Sequence, residues 1–425
     1  MASFFIPLTG LESDSTALNT IANDLANMNT TAFKAQTTNF ADLFYQQIGS
    51  TGAGNPIQVG AGVQVAANET EFSQGSINTT GNATDVALNG NGFFVVSRGS
   101  SDEYSRAGDF SLSSDGNLVT SSGLSVMGYP AVGGVVNTNA PLAAITIPVG
   151  QVQQPAATTT LNMTANLDST TPTTSSFPAQ VTIYDSLGVS HVATVTYTPL
   201  GANTWSYSVA LPAGDFTSGV STPVTGTMTF GPDGTLQSIT PTGGALTAVG
   251  TAPGDMSSIP LSFTGLADGA TDLSMSWNLL GTGGTPSISQ VDTASAVSAT
   301  TQNGYASGQY QSFTIGSDGT VTATYSNGQQ EAVGQVALAN VANVQGLQLL
   351  GDGDYATTLA SGTAAVATSG SSGLGTMEDG ALEESNVNIS AEFSDLIIAQ
   401  RAFEANSKAV TTFDTVTQET INMIH

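Results

Sequence analysis

The chain contains no cysteine and very few cations: its 425 residues include five Lys and Arg and two His against 32 Asp and Glu, for a formal charge of −27. Without cysteine there is neither a disulfide framework nor a thiolate metal site, so packing or assembly must supply stability. The same absence leaves nothing to cross-link if the chain crosses a membrane unfolded. Five scattered cations cannot neutralise a row of phosphates, which excludes nucleic acid as a partner and disfavours an anionic membrane surface. From Ala107 to Gln400 there is no Lys or Arg, although twenty Asp and Glu lie there. Long apolar runs are also missing. No stretch of about 18–20 apolar residues exists to span a bilayer, so no membrane insertion is expected. The opening "MASFFIPLTGLESDSTALN" has no basic n-region, its first cation being Lys34, and predicts no cleaved secretory signal.

The same scarcity removes most chemistry. His191 and His425 are the only histidines, so a His cluster for zinc is excluded. His191 follows a turn and is expected at the surface, without a catalytic role. With Lys34 and Lys408 as the only lysines, no Gly-rich phosphate loop ending in Lys can be built. "LNGNGFF" lacks the dinucleotide fingerprint and suits a tight turn. "GDGDY" (351–355) lacks the later Glu and the spacing of a calcium loop, and turn chemistry explains it better. Adjacent carboxylates such as Glu383 and Glu384 are expected on a solvated surface. No catalytic, cofactor-binding or metal-ligating residue is assigned, no cofactor is expected, and the chain is read as a non-enzyme.

Small residues, turns and two helices dominate what remains. Gly numbers 48 and apolar residues make up 40% of the chain, which suits short strands joined by tight turns. Three turns share one form, "SSDGNLV" (113–119), "GPDGTL" (231–236) and "GSDGTV" (316–321), each placing Asp-Gly directly before a strand. Val321, Ala323 and Tyr325 then share one face. "WSYSVAL" alternates Trp205, Tyr207, Val209 and Leu211 against small residues, the period of a half-buried strand. The length predicts two or more domains. Thr/Ser/Pro/Ala-rich stretches at 151–160 and 168–178 read as entries to an inserted domain, with its return near 279–290. "SGSSGLG" (369–375) leads towards the last element.

Both ends read as helices. Leu11, Leu18 and Leu25 lie seven apart, and Ile21 and Met28 complete a 3-4-3 seam over residues 4–28, with Pro7 in the first turn. At the other end, Asn388 or Ser390 can cap a helix whose first turns carry Glu392 and Asp395. Ile389, Leu396, Phe403, Val410 and Ile424 recur on one heptad position, and Phe393 and Phe413 widen the stripe. Glu404 and Lys408 are spaced for an i,i+4 pair. A terminal helix lying on its own β domain would satisfy one such stripe. Two stripes exceed what a pair of helices hides, and burying each Leu- or Phe-sized side chain is worth about 1.5–3 kcal/mol. The twelve seam residues are therefore expected to meet neighbouring copies in a homopolymer. The expected fold is mainly β with terminal α-helices: an axial helical domain (1–30 and 385–425), connecting segments (31–71 and 370–384), a middle β domain (72–145 and 285–369) and an inserted outer β domain (146–284).

Several segments resemble the bacterial flagellar axial proteins, and within them the hook proteins. "GLESDSTALNTIANDLANMNTTAFK" (10–34) is similar to that family's first helix and exit. "TGNATDVALNGNGFFVV" (80–96) and "YSRAGDFSLSSDGNLVTSSGLSVMGYP" (104–130) resemble segments shared by rod and hook subunits, and "SNVNISAEFSDLIIAQRAFEANSKAV" (385–410) their last helix. "IYDSLGVSH" (183–191) and "TYSNGQQEAVGQVALANVANVQGL" (324–347) favour hook over distal rod. Ala22 and Ala32 stand where the family commonly has Gly. The resemblance implies a structural subunit exported through the flagellar type III apparatus and assembled on the distal rod beneath a cap protein. It further implies a curved tube that contacts hook–filament junction proteins and transmits motor torque, placed outside the cell at the hook and basal body. The weighed alternatives are a distal rod protein and a secreted β-rich adhesin or surface-layer protein. An adhesin predicts a signal peptide and gives no reason for a heptad helix at each end.

Overall fold

The computed structural model describes residues 4–50, 52, 54–99, 101–252, 255–281 and 283–424. Two helices, α1 (Phe5–Ala26) and α2 (Ile389–Ile424), bracket a chain otherwise built of strands. The chain forms two compact units: one comprises Met1–Val149, Ser312–Thr324 and Gln330–His425, and the other Gly150–Gln311 and Tyr325–Gln329.

In the first unit, Phe93–Arg98 pairs antiparallel with Ser101–Ser105 and also with Ser125–Val132 and Gln330–Asn340. Phe93, Val95, Tyr104, Ala337 and Tyr355 bury one face of this sheet, and Phe72 packs edge-on against Phe93 with ring centroids 5.8 Å apart. Val321, Ala323 and Tyr325 are all buried on one side of Thr320–Tyr325, as their alternation predicts. Two short pairings tie the C-terminal connector to this body, Thr376–Asp379 with Val86–Asn89 and Ala381–Glu383 with Ile77–Thr79. "GDGDY" makes the turn between Gln348–Gly351 and Asp354–Ala356, with Gly351, Asp352 and Gly353 all at positive φ.

The second unit contains a six-stranded antiparallel meander from Phe177–Tyr184 to Thr247–Ala248, and a second sheet centred on Thr160–Asp168. The "WSYSVAL" strand, Thr204–Ala210, buries Trp205, Tyr207 and Val209 and leaves the alternate residues half-exposed. All three belong to one core with Trp277, whose ring stands 84° to that of Tyr207 at 5.9 Å. The expected return of the chain near 284 falls inside this unit. Ala296–Gln302 pairs antiparallel along Thr160–Asp168, which keeps the chain here past residue 284, and the unit runs to Gln311.

All three Asp-Gly turns close as expected, with Gly116, Gly234 and Gly319 at φ 80°, 77° and 84°. At Gly234 a Cβ would also fall 2.3 Å from the carbonyl oxygen of Gln290, so that position is closed to side chains on two counts. His191 departs from expectation. It is 5% exposed, because carboxylates from three segments close around its ring.

Candidate polymer interface

α1 and α2 lie against each other in the first unit, and α1 also rests on the paired strands Gln36–Asp42 and Val63–Thr70. The face that α1 buries is made of small and polar residues at three- and four-residue spacing: Gly10, Ser13, Ala17, Thr20 and Asp24, with Pro7 before them. Gly10 permits the close approach. A Cβ there would stand 2.6 Å from Asn406 Nδ2, and that amide donates to Asp14 Oδ2 at 2.8 Å. Lower down, Thr38 Oγ1 donates to Thr20 Oγ1, and the amide of Gln36 donates to Asp24 Oδ2 at 2.7 Å. Burial holds the Asp24 carboxyl above its ordinary value. Glu392 is raised as well, first by burial and then by the charges of Asp24 and Asp395.

The expected seam is only half covered. Leu11, Leu18, Ile21, Leu25, Leu396, Phe403 and Val410 are half-buried, whereas Ile389, Phe393 and Phe413 are exposed. Met28 is exposed and lies outside the helix, since α1 ends at Ala26 with the Asn27 amide reaching back to Asn23 and Asp24. Ile424 ends α2, and its side chain lies outside what the structure describes. Further apolar side chains extend the bare surface: Phe5, Ile397, Ile398, Val416, Ile421 and Met423 are all more than half exposed. Of these, Ile397 and Val416 stand four and three residues after Phe393 and Phe413, a spacing present in the sequence.

Length explains the end of α2. With 36 residues against 22, it runs about 54 Å to about 33 Å for α1, and every described side chain from Thr411 to Met423 is exposed. Asn388 caps its start, the side-chain oxygen accepting from the amides of Ser390 and Ala391 at 3.1 and 3.3 Å. Glu404 and Lys408 are both exposed, and among the described residues Lys408 makes no ion pair.

Below the helices the two chain ends are sewn together. Glu383, expected on a solvated surface, is 1% exposed because two of the five cations converge on it. Lys34 Nζ donates to its Oε1 at 2.6 Å and to the carbonyl of Ser73 at 2.8 Å, while Arg106 Nη2 meets its Oε2 at 3.0 Å. The Gly75 amide completes the set at 2.9 Å. Arg106 Nη1 also donates to the carbonyls of Gly90 and Gly92. Burial pulls the Lys34 ammonium below its ordinary value, against the pull of Glu383. Asn386 adds a second stitch, accepting from the Ala35 amide at 2.8 Å and donating to the Glu71 carbonyl at 2.7 Å. The exit "NTTAFK" thus meets the connector "LEESN" through buried ionic and backbone bonds. Ala32 turns the corner at φ 53°, a conformation in which Gly is unstrained.

Paired terminal helices with exposed apolar side chains, joined at their base by buried ion pairs and separated in sequence by β-built units, match the architecture expected of a flagellar axial protein. Family models agree on the class. Residues 87–166 match the "Flagellar hook protein FlgE/F/G D1 domain", 153–305 the "Flagellar basal body protein FlaE D2 domain" and 378–423 the "Flagellar basal body rod FlgEFG protein C-terminal". Full-length relatives narrow it. The chain is 36% identical to the flagellar hook protein FlgE of Salmonella typhimurium, over 99% of this chain and 100% of that one. It is 35% identical to that of Escherichia coli K12, over 99% and 100%, and 32% identical to that of Treponema pallidum, over 100% and 99%. A crystal structure of Helicobacter pylori flagellar hook protein FlgE2 shares the fold at TM-score 0.52 and 14% identity, over 71% of this chain and 99% of that one. The chain belongs to the flagellar hook protein FlgE family, the structural proteins of the hook at the flagellar basal body. A distal rod protein and a β-rich adhesin are not favoured.

Proposed function

We propose that this chain polymerises into the hook tube through α1 and α2, with the bare stripe of Phe393, Ile398 and Phe413 packed against neighbouring copies around the bore. The observation that carries this reading is the uncovered apolar face of α2 within a single chain, where the side chains from Thr411 to Met423 find no cover. Most of the stability of an amphipathic helix comes from packing its apolar face. The termini can therefore stay unfolded during passage through the flagellar type III apparatus and order on assembly. The distal rod, the cap protein and the hook–filament junction proteins are the expected partners at the ends of the tube. The role is mechanical and calls for no catalytic step.

Ile398→Asp tests this. Ile398 is 64% exposed in the single chain, so the folded subunit should change by no more than about 0.5 kcal/mol. Each lost contact in the tube costs about 1.5–3 kcal/mol and recurs at every subunit, so polymer in a sedimentation assay should disappear. Polymer formed by Ile398→Asp, or by a chain lacking residues 1–30, with unchanged yield would overturn the reading.

A further inference from the structure

The second unit contains no Lys or Arg, and His191 is its only residue able to carry positive charge. Three carboxylates from three separate segments surround that one ring. Asp185 sits in the turn after Phe177–Tyr184, where its Oδ1 accepts from the amides of Leu187 and Val189 at 2.8 and 2.9 Å. Its Oδ2 remains for His191 Nε2 at 3.1 Å. Asp215, the last residue of the short 3-10 turn Ala213–Asp215, places Oδ2 2.9 Å from His191 Nδ1. Asp268, in the loop between Ser258–Phe263 and Leu273–Asn278, brings Oδ2 to 3.7 Å from Nε2.

We propose that His191 is a proton-dependent latch: as an imidazolium it joins these three segments, and on losing its proton it releases them. A neutral ring has one N–H and one lone pair, so it can satisfy only one of two facing carboxylates, whereas the imidazolium donates to both. The ring is 5% exposed and the Asp185 side chain 0%, so water cannot replace the ring as donor to Asp185; if the neutral ring keeps its N–H there, its Nδ1 lone pair faces Asp215 Oδ2 at 2.9 Å. Among the described residues, no charged group other than Asp185, Asp215 and Asp268 faces the ring within ion-pair distance. Burial alone would lower the ring's titration, but its hydrogen bonds to Asp185 and Asp215, and their charges, outweigh that and raise it above the ordinary value. Asp185, which burial would raise, is brought below its ordinary value by its hydrogen bonds, among them those from the His191 ring and the amides of Val189 and Leu187. A His raised in the folded state contributes stability that is complete below its unfolded value, roughly pH 6.5, and lost as pH rises through the folded value. The Asp185 contribution is lost only as pH falls below the carboxylate range. The latch therefore holds below the ring's folded value and opens as pH rises through it.

The full chain reports this directly, because Trp205 and Trp277, its only tryptophans, are both buried in this unit's core. The expected result is a tryptophan-monitored melting temperature lower by roughly 3–6 °C at about pH 9 than at about pH 6. The drop should vanish in His191→Gln and persist in His425→Gln. Should His191→Gln fail to fold, proton NMR of Asp215→Asn replaces it: one of the two imidazole signals should titrate about one pH unit lower than in the parent. A melting temperature unchanged across this range, a drop that persists in His191→Gln, or an unmoved titration in Asp215→Asn would overturn the proposal. So would millimolar Zn2+ restoring stability at pH 9 only when His191 is present, since the cage would then be a metal site.

Discussion

Replacing Glu383 by Gln keeps the side chain's shape and removes only the charge that two buried cations share. In the parent, Glu383 receives Lys34 at 2.6 Å, Arg106 at 3.0 Å and the Gly75 amide at 2.9 Å, and both it and Lys34 have side chains 1% exposed. In the variant an amide nitrogen must face one of those donors, and Lys34 and Arg106 remain as buried like charges. Removing one partner of such a pair costs about 3–5 kcal/mol, a large share of the roughly 5–15 kcal/mol that holds a domain together. The loss belongs to the base of the helices. Amide exchange at residues 32–36, 73–76 and 383–386, followed by mass spectrometry at neutral pH, should quicken by roughly two to three powers of ten. The tryptophan transition of the second unit should stay put, since both tryptophans lie there. Adding Lys34→Met to Glu383→Gln removes one stranded charge, so the double variant should be less damaged than the sum of the singles by about 1–3 kcal/mol. Exchange in Glu383→Gln equal to the parent's would show that the three side chains do not join the chain ends.

Ala32→Val places a β-branched residue at φ 53° in a buried corner and should cost about 1–3 kcal/mol, read as a lower urea midpoint for helix circular dichroism; an unchanged midpoint would contradict the strain. Asp24 is fully buried with Oδ1 unpartnered, and its carboxyl is raised by burial, so its cost grows as pH rises from the unfolded carboxylate value through the folded one. Asp24→Asn should therefore stabilise the helical base at pH 7 by on the order of 1 kcal/mol and flatten its dependence on pH between about 4 and 7; a loss of stability at pH 7 would refute this. Screening acts over about 8 Å at physiological ionic strength, so a tube of subunits with a formal charge of −27 should tolerate added salt and weaken when salt is removed. Sedimentation across a salt series that shows dissociation at high salt would count against it.

Local features were legible in the order of residues. Asp-Gly pairs marked three turns because only Gly tolerates positive φ cheaply, and the alternation in "WSYSVAL" marked a strand with Trp205 and Tyr207 inward. Spacing of three and four marked α1 and α2, and Asn388 and Ser390 marked where α2 could begin, of which Asn388 makes the cap. These signals survive because a period of two or of 3.6 is a property of the backbone, independent of what lies opposite.

What lies opposite was decided only in three dimensions. Heptad spacing picked out Leu11, Leu18 and Leu25, yet α1 covers Gly10, Ser13, Ala17, Thr20 and Asp24, since close contact with α2 and a strand pair favours small side chains. Lys34 and Glu383 are 349 residues apart, and no local pattern links them. Glu383 and His191 were both assigned to the surface because charge usually stays in water; each is buried because opposite charges arrive from distant segments to compensate it. The chain by itself determined which elements form and that apolar stripes remain to be covered. Tertiary structure decided which stripe faces inward and which charges can leave water, because both depend on partners that neighbouring residues cannot specify.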